Sequence, residues 1–203
     1  MKKRITLLAS FLLLLATNLL HAQDASKLLS DYFKNFKSHR NVEVSFVLQD
    51  LSNNQKAEEE TVKLYIEKES YKYITESQHT LSDGKVIWTY LPEEQEVMVS
   101  NTTEDDLNPY LVFTEMAKES SARLKGTNSR GDNLVQLLDS EGNPTGIVLE
   151  FNKKGELRGL EITDDQGSMR ININEIKYDQ DWPKGFFTFD EKAYPGVEII
   201  DMR

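Results

Sequence analysis

From Val42 onward the side chains alternate between apolar and polar with a period of two, and turn signals interrupt the pattern about every 8–12 residues. Val42, Val44, Phe46 and Leu48 alternate with Glu43, Ser45 and Gln49. Val62, Leu64 and Ile66 alternate with Thr61, Lys63, Tyr65 and Glu67, and Tyr71 and Tyr73 flank Lys72. Asp83-Gly84 is a hairpin signal between segments 79–82 and 85–90, and segment 94–100 closes a first meander. Further strand segments follow at 134–138, 146–151, 157–163, 169–178 and 185–189, punctuated by Gly131-Asp132-Asn133, Lys154-Gly155 and Asp165-Gln166-Gly167. This pattern predicts one antiparallel all-β domain. Glu43, Lys63, Glu67, Lys72, Arg158, Glu161 and Arg170 give its strands a polar side, so the sheet has one wet face and one dry face. About ten strands with a single dry face can curl into a barrel or half-barrel around it.

Two apolar helices are available to cover that face. Leu28, Leu29, Tyr32, Phe33 and Phe36 form one helical stripe behind a cap at Asp24 or Ser26, with Lys27, Lys34 and Lys37 opposite. A second helix is signalled by Asn108-Pro109 and continues through Tyr110, Leu111, Val112, Phe113, Met116 and Ala117. A helix laid on a curved dry sheet encloses an apolar interior. Either the protein's own side chains fill that interior as an ordinary core, or part of it remains open to an apolar ligand.

The first 22 residues read as a signal peptide. Met1-Lys2-Lys3-Arg4 is a basic start, an apolar run extends from Ile5 to Leu20, and Ala22 offers a small residue at the cut. The other reading of the same stretch is an N-terminal anchor. Cleavage after Ala22 leaves a single domain, residues 23–203, with 21 basic against 34 acidic side chains, a formal charge of −13. Such a surface repels phosphate backbones and anionic headgroups, which argues against nucleic acid and stable membrane insertion. The absence of Cys excludes disulfides, thiol catalysis and a lipid on an N-terminal cysteine.

Catalytic groups are scarce. Beyond the signal peptide only His39 and His79 remain, and no nucleophile elbow, zinc-type His pair, phosphate loop or dinucleotide pattern is present. Asp139-Ser140-Glu141-Gly142-Asn143 alternates oxygen ligands but lacks the length and closing Glu of a calcium loop. No catalytic residue, metal or cofactor is expected. Acyl-chain binding needs none, because each methylene removed from water contributes roughly 0.8 kcal/mol.

Ser82-Asp83-Gly84-Lys85-Val86-Ile87-Trp88-Thr89-Tyr90-Leu91-Pro92 resembles the Ser-Asp-Gly-Lys-x-x-Trp-x-Tyr-x-Pro signature of the LolA family of periplasmic outer-membrane lipoprotein carriers. Phe187-Thr188-Phe189 with Pro195-Gly196-Val197-Glu198-Ile199-Ile200-Asp201 resembles that family's closing segment. The resemblance implies an unclosed antiparallel β-barrel whose concave apolar face is covered by the N-terminal helix and a mid-chain lid helix. It implies no enzyme activity and no cofactor. It also implies a periplasmic monomer that takes lipoproteins from an inner-membrane ABC-type releasing complex and delivers them to an outer-membrane receptor. The alternative is the same half-barrel with another lipid ligand or a stress-sensing role. On this reading Phe46, Leu64, Ile66, Tyr71, Tyr73, Trp88 and Tyr90 line the acyl-chain cavity. Leu28, Tyr32, Phe36, Phe113 and Met116 form the covering helices. Lys68 takes the place of the family's latching Arg, with Arg123 and Arg130 as alternatives. The chain departs from the family at Glu96, where Gln is usual, and in the stretched Phe46-Val47-Leu48-Gln49.

Overall fold

A computed structural model describes residues 24–52, 59–103, 121–165 and 167–203. The stretch read as a signal peptide and the segment expected as the Asn108-Pro109 helix, with Phe113 and Met116, lie outside the described residues. Helix α1 covers residues 24–38, followed by β1 (Val42–Asp50), β2 (Glu59–Glu67), β3 (Ser70–Ile74), β4 (His79–Ser82), β5 (Val86–Leu91) and β6 (Glu96–Asn101). The second half holds β7 (Ser121–Thr127), β8 (Asn133–Leu138), β9 (Pro144–Phe151), β10 (Leu157–Asp164), β11 (Gly167–Tyr178) and β12 (Glu198–Asp201). Among the described residues these twelve strands make a single sheet in the order β12-β6-β5-β4-β3-β2-β1-β11-β10-β9-β8-β7. β7 and β12 are its two ends and do not pair with each other, so the barrel is open.

The turns follow from their residues. At the β4–β5 hairpin the Asp83 carboxylate accepts from the amides of Lys85 and Val86, and Gly84 adopts φ +90°, where a side chain would be strained. Four bulges bend the sheet, at Ser45/Phe46 in β1–β11, Leu157/Gly159 in β9–β10, Leu124/Gly126 in β7–β8 and Gln136/Leu138 in β8–β9. Gly159 sits at one of them because a Cβ there would lie 2.6 Å from the Ile171 carbonyl oxygen.

The register fixes the faces. Val42, Val44 and Phe46 pair with Ile66, Leu64 and Val62, and Leu64 and Ile66 pair in turn with Tyr73 and Tyr71. On the other side of β1, Phe46 and Leu48 face Ile173 and Ile171, which lead to Leu160, Leu149 and Val135. These residues share the inner face. α1 lies on its β7–β11 half, burying Ala25, Leu29 and Phe33 against Ala122, Val135, Leu137, Leu149, Phe151, Leu157 and Leu160. Phe36, one turn further, enters a second cluster with Val42, Phe46, Val62, Leu64 and Ile66.

On β7–β11 the outer face is wet. There Glu150, 4% exposed, is held between the Arg130 and Arg170 guanidinia, the latter at 3.0 Å. On β4–β6 the outer face is apolar as well, with Leu81, Trp88, Tyr90, Val97 and Val99, which corrects the expectation of one dry face throughout. Residues 180–197 run across it as a strap. Trp182 and Phe186 pack on Tyr65 at 5.9 and 5.2 Å between ring centroids, Lys72 Nζ sits 4.9 Å over Phe186, and Phe189 and Tyr194 pack on Tyr90. Segment 185–189, expected as a strand, is therefore a turn, because its aromatic side chains turn onto the sheet instead of pairing with it. The chain then returns as β12, parallel to β6, the one exception to the antiparallel order among the described residues.

The root of the strap is fastened to the end of α1. Asp179, at φ +54°, lies 2.7 Å from His39 Nδ1 and accepts from the Arg40 amide at 2.8 Å, while Asn41 exchanges two hydrogen bonds with Gln180. The His39 side chain, and after it the Arg40 amide, hold the Asp179 carboxyl below the usual carboxylate range. A depressed folded-state pKa contributes stability that is present above about pH 4 and lost as the pH falls through the folded value. Asp179→Asn is therefore expected to lower the urea midpoint at pH 7 and to converge on the parent chain towards about pH 2. A deficit that stays constant across that range would contradict the coupling.

Candidate functional site

Between α1 and the ends of β10 and β11 lies a cavity of about 660 Å³. Its size is that of a small-molecule site. Leu28 and Tyr32 on α1 form one wall, and Leu157, Ile173, Ile176 and Tyr178 form the sheet side. Asp31, Asn35, Lys154, Glu156, Arg158, Asn174 and Glu175 also line it, so apolar and polar groups share its wall about equally. The helix places Leu28 and Tyr32 there because they follow its buried stripe by i+3 and i+4, leaving them half-buried beside Ala25, Leu29 and Phe33.

The sheet side depends on the bulge in β1–β11. Ile173 and Ile176 are three apart, and strict alternation would place them on opposite faces. In the observed register Val44 faces Ile176 and Phe46 faces Ile173, which leaves Asn174 as the extra residue and returns both isoleucines to the inner face. Burial pushes the hydroxyls of Tyr32 and Tyr178 above the ordinary tyrosine pKa. Both side chains stay neutral and present largely apolar rings. The Tyr32 ring is fixed by edge-on contact with Phe151, 5.4 Å between centroids. Among the described residues that line it there is no Ser, Thr, Cys or His. Among the described residues no group of three His, Cys, Asp or Glu converges to hold a metal. The arrangement offers an apolar ligand a dry wall with a wet edge.

Of the residues singled out from sequence, Phe46, Leu64, Ile66, Tyr71 and Tyr73 share the inner face, the first four buried and Tyr73 half-buried. Leu28 and Tyr32 stand in the cavity wall, and Phe36 is buried between that region and β1–β2. Trp88 and Tyr90 are a correction. Tyr71 and Tyr73 pair with Ser82 and Thr80, which pair with Ile87 and Thr89, so Trp88 and Tyr90 project to the outer face. There Trp88 pairs with Leu81 and Val99, and Tyr90 meets the strap. β5 is apolar on both sides, so its pattern carries no sign of which side is inner. Lys68 is exposed in the β2–β3 turn at φ +53°, on the rim of a cleft with Trp182 and Phe186. The helix it was expected to latch lies outside the described residues. Leu157, Ile173, Ile176 and Tyr178 escaped the sequence reading, because the bulge that brings Ile173 and Ile176 to one face shows only in the pairing with β1.

The sequence model of a family described as Outer membrane lipoprotein carrier protein LolA matches residues 37–190. An outer-membrane lipoprotein carrier protein of Psychromonas ingrahamii is 25% identical over 130 residues, which is 63% of this chain and 62% of that protein's length. An uncharacterized conserved protein from Thermus thermophilus has a similar fold, with a TM-score of 0.51 at 11% identity, covering 89% of this chain and 98% of that one. A LolA superfamily protein from Nitrosomonas europaea aligns over 84% of this chain and 99% of its own, at 12% identity and a TM-score of 0.43.

Proposed function

The chain belongs to the LolA family of outer membrane lipoprotein carrier proteins, and from that premise we propose that it shields the acyl chains of lipoproteins while they cross the periplasm. The family is one of carriers, not of enzymes. In this reading the chain acts as a monomer, receives lipoproteins from an inner-membrane ABC-type releasing complex and passes them to an outer-membrane receptor. Among the described residues no helix is long and apolar enough to cross a membrane.

The observation that carries the reading is the cavity between α1 and β10–β11, whose lining is divided about evenly between apolar and polar groups. An acyl chain there loses contact with water against Leu28, Tyr32, Leu157, Ile173, Ile176 and Tyr178. Each methylene so covered contributes roughly 0.8 kcal/mol, so affinity follows the length of chain enclosed. The polar edge leaves the protein part of the cargo in water. Phe46, Leu64, Ile66, Tyr71 and Tyr73 extend the same inner face across β1–β3, and in this proposal they continue the acyl surface. Leu28, Tyr32 and Phe36 take part from α1, with Phe113 and Met116 assigned to a lid and Lys68 to its latch.

Native mass spectrometry of protein taken gently from the cell envelope tests this. The expected spectrum contains adducts with the mass of an acylated lipoprotein. A spectrum with adducts of phospholipid alone would support the half-barrel with a different ligand instead, and one without any lipid would remove both readings.

A further inference from the structure

Two wall residues of the cavity beside α1 carry a polar group that covering an acyl chain does not call for. Tyr32 on α1 and Tyr178 at the end of β11 line it from opposite sides, and phenylalanine would cover methylenes as well. The two hydroxyls are close enough for Tyr178 to act electrostatically on Tyr32, adding to the burial that keeps the Tyr32 proton in place. Burial acts in the same direction on Tyr178. Both groups therefore remain O–H donors at neutral pH.

Each ring is held by its neighbours. Tyr32 stands edge-on to Phe33 and Phe151, at 5.6 and 5.4 Å between centroids. Tyr178 is stacked on the His39 ring, with centroids 4.0 Å apart and planes within 18°. His39 Nδ1 lies 2.7 Å from the Asp179 carboxylate, so the residue that follows Tyr178 in the chain fixes the ring on which Tyr178 rests. Asn35, one helical turn beyond Tyr32, and Asn174 bring further neutral polar groups to the same wall. Donors fixed in this way are in place before any ligand arrives.

Two neutral donors set among Leu28, Leu157, Ile173 and Ile176 suit a ligand that is apolar apart from one neutral acceptor. An acyl chain joined to a larger molecule has such a group, the carbonyl oxygen of its ester or amide. Taking that oxygen out of water without a donor costs affinity, and an O–H donor restores it. A free carboxylate gains less here, because Lys154 and Arg158 on the rim are matched by Asp31, Glu156 and Glu175. We propose that Tyr32 and Tyr178 are specificity-determining residues that donate hydrogen bonds to the carbonyl oxygen of an ester- or amide-linked acyl chain, with His39 as the positioning residue for Tyr178. This rests on the acyl reading of the cavity and adds which part of the ligand is recognised there.

Fluorescence titration of the mature chain with a pyrene-tipped monoacylglycerol, and with its ether-linked analogue that lacks the carbonyl, tests the proposal. The parent chain is expected to bind the ester roughly tenfold more tightly than the ether. Tyr32→Phe and Tyr178→Phe are each expected to lower ester affinity roughly fivefold and to leave ether affinity within about twofold. His39→Ala is expected to shrink the ester preference in the same way, and His39→Phe, which keeps a ring against Tyr178, to retain it. A preference that persists in both tyrosine variants, or equal losses of the two probes, would overturn the assignment of the hydroxyls and leave the acyl cavity in place. A full preference in His39→Ala would overturn the role of His39. A parent chain that binds neither probe would overturn the acyl reading itself.

Discussion

Ile173→Glu is expected to fold normally and to lose acyl-chain binding by roughly 500-fold at pH 7. Ile173 lies on the inner face where the two apolar clusters meet, and it is half-buried in the cavity beside α1. In the empty protein a carboxylate there keeps part of its hydration, so the sheet tolerates it. A bound acyl chain removes that water, and the side chain must protonate before the ligand can pack against it. Protonating a glutamate of ordinary pKa at pH 7 costs about 3.7 kcal/mol, which sets the size of the loss. The sign follows. Affinity recovers about tenfold for each pH unit lowered, until the ordinary glutamate value near 4.3 is reached. Ile173→Gln, which cannot ionise, is expected to bind more weakly than the parent chain with no such pH dependence. Titration of a fluorescent fatty acyl probe between pH 5 and 8 reads both. A pH-independent loss in Ile173→Glu would place the acyl chain away from β11.

Phe151→Ala is expected to give the largest loss of stability, about 3–5 kcal/mol. Phe151 is fully buried at the centre of the cluster that seats α1, and the Tyr32 ring stands edge-on against it. Removing the ring leaves a hole beneath the helix that neighbouring strands cannot close, because Leu149 and Leu157 are held by their ladders on either side. A loss of this size lowers the melting temperature by roughly 10 °C in a chain of this length. Because Tyr32 is a cavity wall, the same change is expected to reduce acyl binding at temperatures where the fold survives. The exposed Met202→Ala is expected to stay within about 0.5 kcal/mol of the parent chain. A loss below about 1 kcal/mol in Phe151→Ala would mean that α1 is held by other contacts, and the wall it supplies would need another origin.

Much of this architecture was legible before any coordinates. A period of two in the strands and a period near 3.6 in 24–38 come directly from which side chains are buried, and both are local. Parity was not local. At Trp88 and Tyr90 the side chains on both sides of β5 are apolar, since the strap covers the outer one with Phe189 and Tyr194. The strap comes from a hundred residues later in the chain, so nothing near β5 announces it. At Ile173 and Ile176 a bulge shifts the alternation by one residue, and only pairing with β1 reveals it. Phe46, Leu64, Ile66, Tyr71 and Tyr73 were legible because one side of β1–β3 carries charges. The Ser82-Asp83-Gly84-Lys85 motif identified the family through a turn, while Tyr90 packs against the strap and Trp88 lies on the same outer face between Leu81 and Val99.

The central claim is that acyl chains lie on the inner face beside α1. A lipopeptide carrying a photoreactive diazirine in its acyl chain, irradiated on the full mature protein and mapped by mass spectrometry, tests it directly. The account predicts labels on Leu28, Tyr32, Leu157, Ile173, Ile176 and Tyr178, with fainter labelling along Tyr71 and Tyr73. Labels concentrated on Trp182, Phe186 and Tyr194 would contradict it, since they would place the chains on the outside of the sheet.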